Sequence, residues 1–240
     1  MNNMLNPDAF AERASTDFTR SLNRVYNFTY GWMAAGLVLS GIVAWYVAQC
    51  VTNGTLPLSR GLFLGCTIAE LAIVFLFAST IHKLPVFFAT LLFAGYAALN
   101  GVTLSVIFLI YKLATIQSVF FVTAGMFAGM ALFGSLTRTN LSGVARICGL
   151  GLWGIIIASL VNIFLGSSGL QSLITYVGVA VFVGLTAWDA QKVRLIAEQQ
   201  ASMDTLTVRR LGLLCALELY LDFINLFIFL LRIFGGKGRD

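Results

Sequence analysis

The stretch Leu211–Arg232, LGLLCALELYLDFINLFIFLLR, decides how this chain is read. At about 1.5 Å of rise per residue it spans roughly 33 Å as a helix, enough to cross a ~30 Å hydrocarbon core. Glu218 and Asp222 nevertheless lie well inside its ends. Asp222 falls roughly 16 Å beyond Leu211, close to the bilayer midplane. An ionised carboxylate at that depth costs about 3 kcal/mol on insertion scales. It persists where it faces a protein interior, meets a partner, or lines a path for water and ions. Cys215, Glu218, Asp222, Asn225 and Arg232 recur at the spacing of one helical face, and the rest of the surface is Leu, Ile and Phe. Such a helix belongs among other helices rather than at the lipid edge. Arg232 is about 15 Å of rise from Asp222, so the partner of Asp222 comes from elsewhere in the chain.

The rest of the sequence agrees with a membrane setting. Of 240 residues, 59% are hydrophobic and 10% charged, with a mean hydropathy of +0.90. A soluble domain carries about a quarter charged residues. The 23 glycines and 20 phenylalanines suit helices that pack through small residues and meet lipid with large ones. The net charge of +5 is scattered through short loops, which leaves a nucleic-acid partner without a basic patch. Cys50, Cys66, Cys148 and Cys215 lack CxxC spacing and read as small buried hydrophobes.

Seven apolar spans are expected, near 27–50, 61–80, 86–111, 117–136, 147–166, 171–191 and 211–232. They form one all-α transmembrane domain over 27–234, between a polar N-terminal segment (1–26), a tail or surface helix, and a short C-terminal tail (235–240). Part of the connection QKVRLIAEQQASMDTLTVRR (191–210) is expected to extend span six beyond the membrane. With the N-terminus in the cytoplasm, Arg13, Arg20, Arg24, Lys83, Arg138, Arg146, Lys192, Arg194, Arg209 and Arg210 lie inside. Arg60, Lys112, Arg232, Lys237 and Arg239 lie outside. That asymmetry favours this orientation, with the C-terminus outside, by the positive-inside rule; three of the five outer charges belong to the C-terminal end, so a re-entrant last segment satisfies the rule as well. Gly125 and Gly129 in span four, with Gly31, Ala35 and Gly41 in span one, are expected at close helix contacts. No internal repeat is visible.

Three further positions carry chemistry. Asp189, in TAWDAQKVR (186–194), is the best candidate to meet Asp222. Two carboxylates brought together do not both ionise without cost, so one proton is shared and the pair becomes a pH sensor. Deprotonated, it is a hard-oxygen cation site suited to Ca2+. The alternative is an interfacial Asp189 paired with Lys192 or Arg194, and an Asp222 that is a satisfied structural acid. Glu70, mid-span in the second segment, is expected to share an interior with Tyr96, Asn100 and Thr103, which lie on one face of span three. Those three serve equally well as polar helix glue or as an ion path. His82 is the one histidine in the chain. No histidine cluster is therefore available for zinc, a Ser-His-Asp triad would have to use this residue, and enzymatic hydrolysis is disfavoured. The sequence also lacks a Walker A loop.

LELYLDFINLFIFLLRIFG (217–235), preceded by TAWDAQKVR, resembles the signature of the Bax-inhibitor (transmembrane BAX inhibitor motif) family, and the likeness extends over nearly the whole chain. The resemblance implies two layers of three helices enclosing the seventh. It also implies a pH-sensitive Ca2+ leak whose sensing acids map onto Asp189 and Asp222. The resemblance further implies, from a family member of bacterial type, an arginine at the inner end of span two that latches the acidic pair. Here that region reads Ser79, Thr80, Ile81, His82, Lys83, so Lys83 or His82 is left as the substitute, without the bidentate fork of arginine. Glu218, one turn from Asp222, adds negative charge.

The functional expectation is a pH-sensitive cation leak, for Ca2+ above all, gated by the aspartate pair and needing no cofactor. A bacterial inner membrane is the expected location, with lipid, Ca2+ and protons as partners. The alternative is a non-conducting regulator that binds another membrane protein, such as a quality-control protease.

Overall fold

A backbone in lipid must satisfy its own N–H and C=O groups, so long apolar segments fold as helices. The computed structural model has α1 (Pro7–Thr52), α2 (Arg60–Thr80), α3 (Val86–Ile110), α4 (Leu113–Leu136), α5 (Ser142–Leu165), α6 (Ser168–Gln199) and α7 (Thr205–Phe234). It describes residues 7–57, 59–81, 83–200 and 203–235, and only the backbone of 7–21 and 60. The described residues contain no strand. Each helix carries a segment long and apolar enough to cross a membrane.

Two boundaries differ from expectation. From Pro7 onward the polar N-terminal segment is helical, as one of its two readings has it, but it runs on without a break into α1, and the apolar span within that helix opens at Leu22. Residues 1–6, and 236–240 of the expected C-terminal tail, lie outside the described residues. The extension of α6 past its apolar part, to Gln199, is as expected.

The most enclosed helix is α7: 72% of its apolar window is buried, against 11% for α2 and for α5. It packs against α1, α3, α4 and α6. The other six fall into two groups of three. In the first, α3 packs on α1 and α2; in the second, α6 packs on α4 and α5; the groups meet along α1–α6 and α3–α4. Three crossings per group invert the second relative to the first, the arrangement of an inverted repeat that left no trace in the sequence. The surface facing away from the core is strongly apolar, as lipid requires, with Phe75 (70% exposed), Phe121 (73%) and Phe164 (90%) standing out.

The close helix contacts are not at the expected glycines. A Cβ at Gly31, Gly41, Gly125 or Gly129 would meet no atom within 4 Å. At Gly134 it would collide with the Ala187 carbonyl, which sets the approach of α4 to α6. At Gly36 it would meet Phe93 and Tyr220, and at Gly101 Val43 and the Ser40 carbonyl. Spacing identifies small residues but not the rotation of the helix, which decides whether they face protein or lipid.

Candidate functional site

The TAWDAQKVR segment places its polar residues by helical geometry, each towards a different neighbour. Gln191 accepts from Leu141 N (2.9 Å) through Oε1 and donates to Thr139 O (2.8 Å) through Nε2, clamping the α4–α5 connection. Arg194 donates to Ser135 O (3.0 Å) and Thr137 O (2.6 Å). These carbonyls lie at the C-terminal end of α4, where a helix has no intrahelical donors left. Arg194 is therefore occupied with α4, and its ion pair is with Glu198 (3.4 Å). Asp189 and Lys192 turn towards α7.

Asp189 and Asp222 come together as expected. Their carboxyls are neighbours across the α6–α7 seam, near enough to interact, with residue exposures of 8% and 4%. Among the described residues no donor reaches Asp222 Oδ2, which is fully buried. Ionised carboxylates are acceptors only, so a proton or a cation between these two satisfies both. Lys192 takes part as well: its Nζ donates to Glu218 Oε2 at 2.5 Å and stands 3.6 Å from Asp189 Oδ1. The two readings of Asp189, paired with Asp222 or with Lys192, thus hold together. Cys215 lies beside Glu218.

Glu70 belongs to a second polar region, between α2, α3 and α7. Thr103 Oγ1 donates to Glu70 Oε1 (2.8 Å) and Asn100 Nδ2 to Oε2 (3.4 Å). Tyr220 Oη donates to Asn100 Oδ1 (2.8 Å). The Tyr220 and Ser40 hydroxyls are 2.6 Å apart, so Ser40 Oγ can donate on to Tyr220. This chain of polar contacts ties α1, α2, α3 and α7 together. Glu70, Tyr96, Asn100 and Thr103 do share one interior, a cavity of about 570 Å³ that Asn225 and Arg232 also line. Asn225 itself donates to Leu221 O (2.8 Å). Neither Tyr220 nor Ser40 was picked out by sequence reasoning. Tyr220 sits in an apolar string and Ser40 among small residues, and only the tertiary pairing reveals them.

The expected substitutes for the latch arginine fare differently. Lys83, in the α2–α3 connection, is exposed, and the ion pairs of the acidic cluster are with Lys192 instead. His82 lies outside the described residues. The cation at the cluster is Lys192, which the sequence offered only as a surface partner for Asp189. Its spacing of three from Asp189 was the available signal. Among the described residues, no three His, Cys, Asp or Glu side chains converge as a metal cage.

Comparison with known proteins places the chain. The family described as "Inhibitor of apoptosis-promoting Bax1" matches residues 22–239. The inner membrane protein YbhL of Escherichia coli K12 is 49% identical over 209 residues, covering 87% of this chain and 89% of that protein. An uncharacterized protein of Deinococcus radiodurans is 40% identical over 224 residues, covering 92% and 94%. One of Borreliella burgdorferi is 39% identical over 219 residues, covering 91% and 94%. The seven apolar helices and the inner-membrane relative support a multi-pass protein of the inner membrane. With its acidic pair buried between α6 and the enclosed α7, the chain belongs to the Bax-inhibitor family.

Proposed function

We propose that this protein is a passive, proton-regulated cation leak, with Ca2+ as the cation its hard carboxylate oxygens suit. The observation that carries this reading is the buried contact of Asp189 with Asp222, in which Asp222 Oδ2 has no protein donor among the described residues. A shared proton satisfies the pair and leaves it a poor cation ligand. Loss of that proton leaves two acceptor-only groups at lipid depth, which favours entry of a cation with its water. Two carboxylates supply only part of the six to eight oxygens Ca2+ prefers, so water completes the shell. That is the character of a transit site rather than a store.

The cavity on the Arg232 side supports conduction. It reaches Asn225, about 4.5 Å of rise from Asp222 on the same helix. The distribution of lysine and arginine favours the N-terminus in the cytoplasm, which puts this cavity on the outer side and the Lys192–Glu218 pair on the inner side. In this account the chain acts without a cofactor and performs no covalent chemistry. Purified protein in liposomes loaded with a Ca2+ indicator tests the reading: external Ca2+ should enter at a pH-dependent rate. Absence of flux at every pH favours the alternative, a non-conducting regulator of another membrane protein.

A further inference from the structure

We propose that Lys192 is this chain's own latch, a tethered ammonium that occupies the acidic site and must be displaced by the permeating cation. The flux arm of the argument rests on the leak reading above; the binding arm does not.

The geometry is specific. Asp189 and Lys192 are three residues apart on α6, one turn of the same face, while Glu218 and Asp222 are four apart on α7. The four side chains therefore meet across a single α6–α7 seam. The Lys192 ammonium is 2.5 Å from Glu218 Oε2 and 3.6 Å from Asp189 Oδ1, and Asp189 in turn contacts Asp222. Arg194 is spent on the end of α4, and Lys83 is exposed. Among the described residues, one ammonium thus stands against Glu218 and Asp189, with Asp222 beyond Asp189, and the cluster keeps net negative charge even with a proton shared between the aspartates.

A cation arriving at Asp189 and Asp222 competes with this ammonium for Asp189. The ammonium has somewhere to go, because Glu218 holds it and the Lys192 side chain is 30% exposed. Displacement is therefore a short swing on a flexible four-carbon stem, not the opening of the helix bundle. Glu218 acts as the counter-ion that holds the latch ready, and it adds to the attraction felt by an incoming divalent ion.

The two partners of this ion pair should then act in opposite directions. Lys192→Gln removes the competitor, so Ca2+ binds tighter and leaks faster at neutral pH. Glu218→Gln removes negative charge and leaves the ammonium to Asp189 alone, so Ca2+ binds more weakly and leaks more slowly. A salt bridge that merely ties α6 to α7 predicts the same direction for both, since either break loosens the seam. Lys192→Arg keeps the charge and should keep the low leak.

The experiment uses the full chain in two formats. In detergent, binding of Ca2+ alone is measured by competition with Tb3+ luminescence. Lys192→Gln is expected to tighten it about tenfold and Glu218→Gln to weaken it. In liposomes, Ca2+ flux of the same variants should change with the same opposite signs. Wild-type flux with unchanged affinity and unchanged leak in Lys192→Gln overturns the latch but leaves the leak reading standing. No flux from any variant, with the binding changes of opposite sign intact, overturns the leak and supports Lys192 as the site's competing cation. Changes of the same sign in both variants overturn the latch in favour of a structural tie. Should Lys192→Gln fail to fold, Glu218→Gln alone decides, because a faster leak or tighter binding in it contradicts the proposal.

Discussion

Asp222 is tolerated at mid-span because α7 is the enclosed helix and because Asp189, its buried neighbour on α6, can share a proton with it. Asp222→Asn removes the charge that is costly to insert, and its amide can donate where the carboxylate could not. The variant should fold and insert at least as well as wild type, and its Ca2+ flux should lose its pH response. Wild-type flux at every pH in that variant would sink the role assigned to Asp222. Asp189→Asn has a different signature: with the like charge gone, the midpoint of the flux–pH curve should move to lower pH. Tyr220 gives a third residue-level expectation. Its hydroxyl bonds Asn100 and lies against Ser40, so Tyr220→Phe leaves buried polar groups short of a partner. The cost should be about 1 kcal/mol, read as a lower unfolding temperature in detergent with flux largely retained.

At the scale of the helices, contact is set by which face each presents, and this is where the sequence was hardest to read. Period and hydropathy revealed seven spans, and the polar stripe of Leu211–Arg232 marked α7 as interior. The meeting of Asp189 with Asp222 and the shared cavity of Glu70, Asn100 and Thr103 were legible because charges in lipid have few tolerable places. Glycines have no such constraint, so Gly125 and Gly129 were read as contacts when they face outward, and Gly134 was passed over. Lys192 was legible as a partner of Asp189, three residues away, but its contact with Glu218 was not, because only the α6–α7 register brings Glu218 to it. The contrast is measurable. Gly134→Val should cost about 1–3 kcal/mol by forcing α4 from α6, while Gly125→Val should be near neutral; equal losses in thermal unfolding would contradict the packing. The start of α7 carries a pH term of its own. Asp204 caps it, accepting from Thr207 N at 3.1 Å, and the side-chain and backbone hydrogen bonds of Thr207 hold its carboxyl below the usual value. Because its folded value is lowered, the cap's contribution is full at neutral pH and is lost as pH falls below about 4. It therefore plays no part in a response near neutrality.

For the whole molecule, the two three-helix groups around α7 give a core with a polar cavity at one end and an acidic cluster towards the other. The sense of that axis follows from the basic residues: a reporter fused at the N-terminus should be active in the cytoplasm and one at the C-terminus outside it. The reverse pattern would place the Lys192–Glu218 pair on the outer side and require the direction of proton control to be redrawn. The claim on which everything else depends is that a cation crosses at the Asp189–Asp222 contact. Its most direct test is Ca2+ entry into liposomes holding the purified chain, followed across pH for wild type and for the Asp189→Asn, Asp222→Asn double variant. The account predicts pH-dependent entry in wild type and a flat, altered rate in the double variant with its fold intact. Identical pH-dependent entry in both would contradict it.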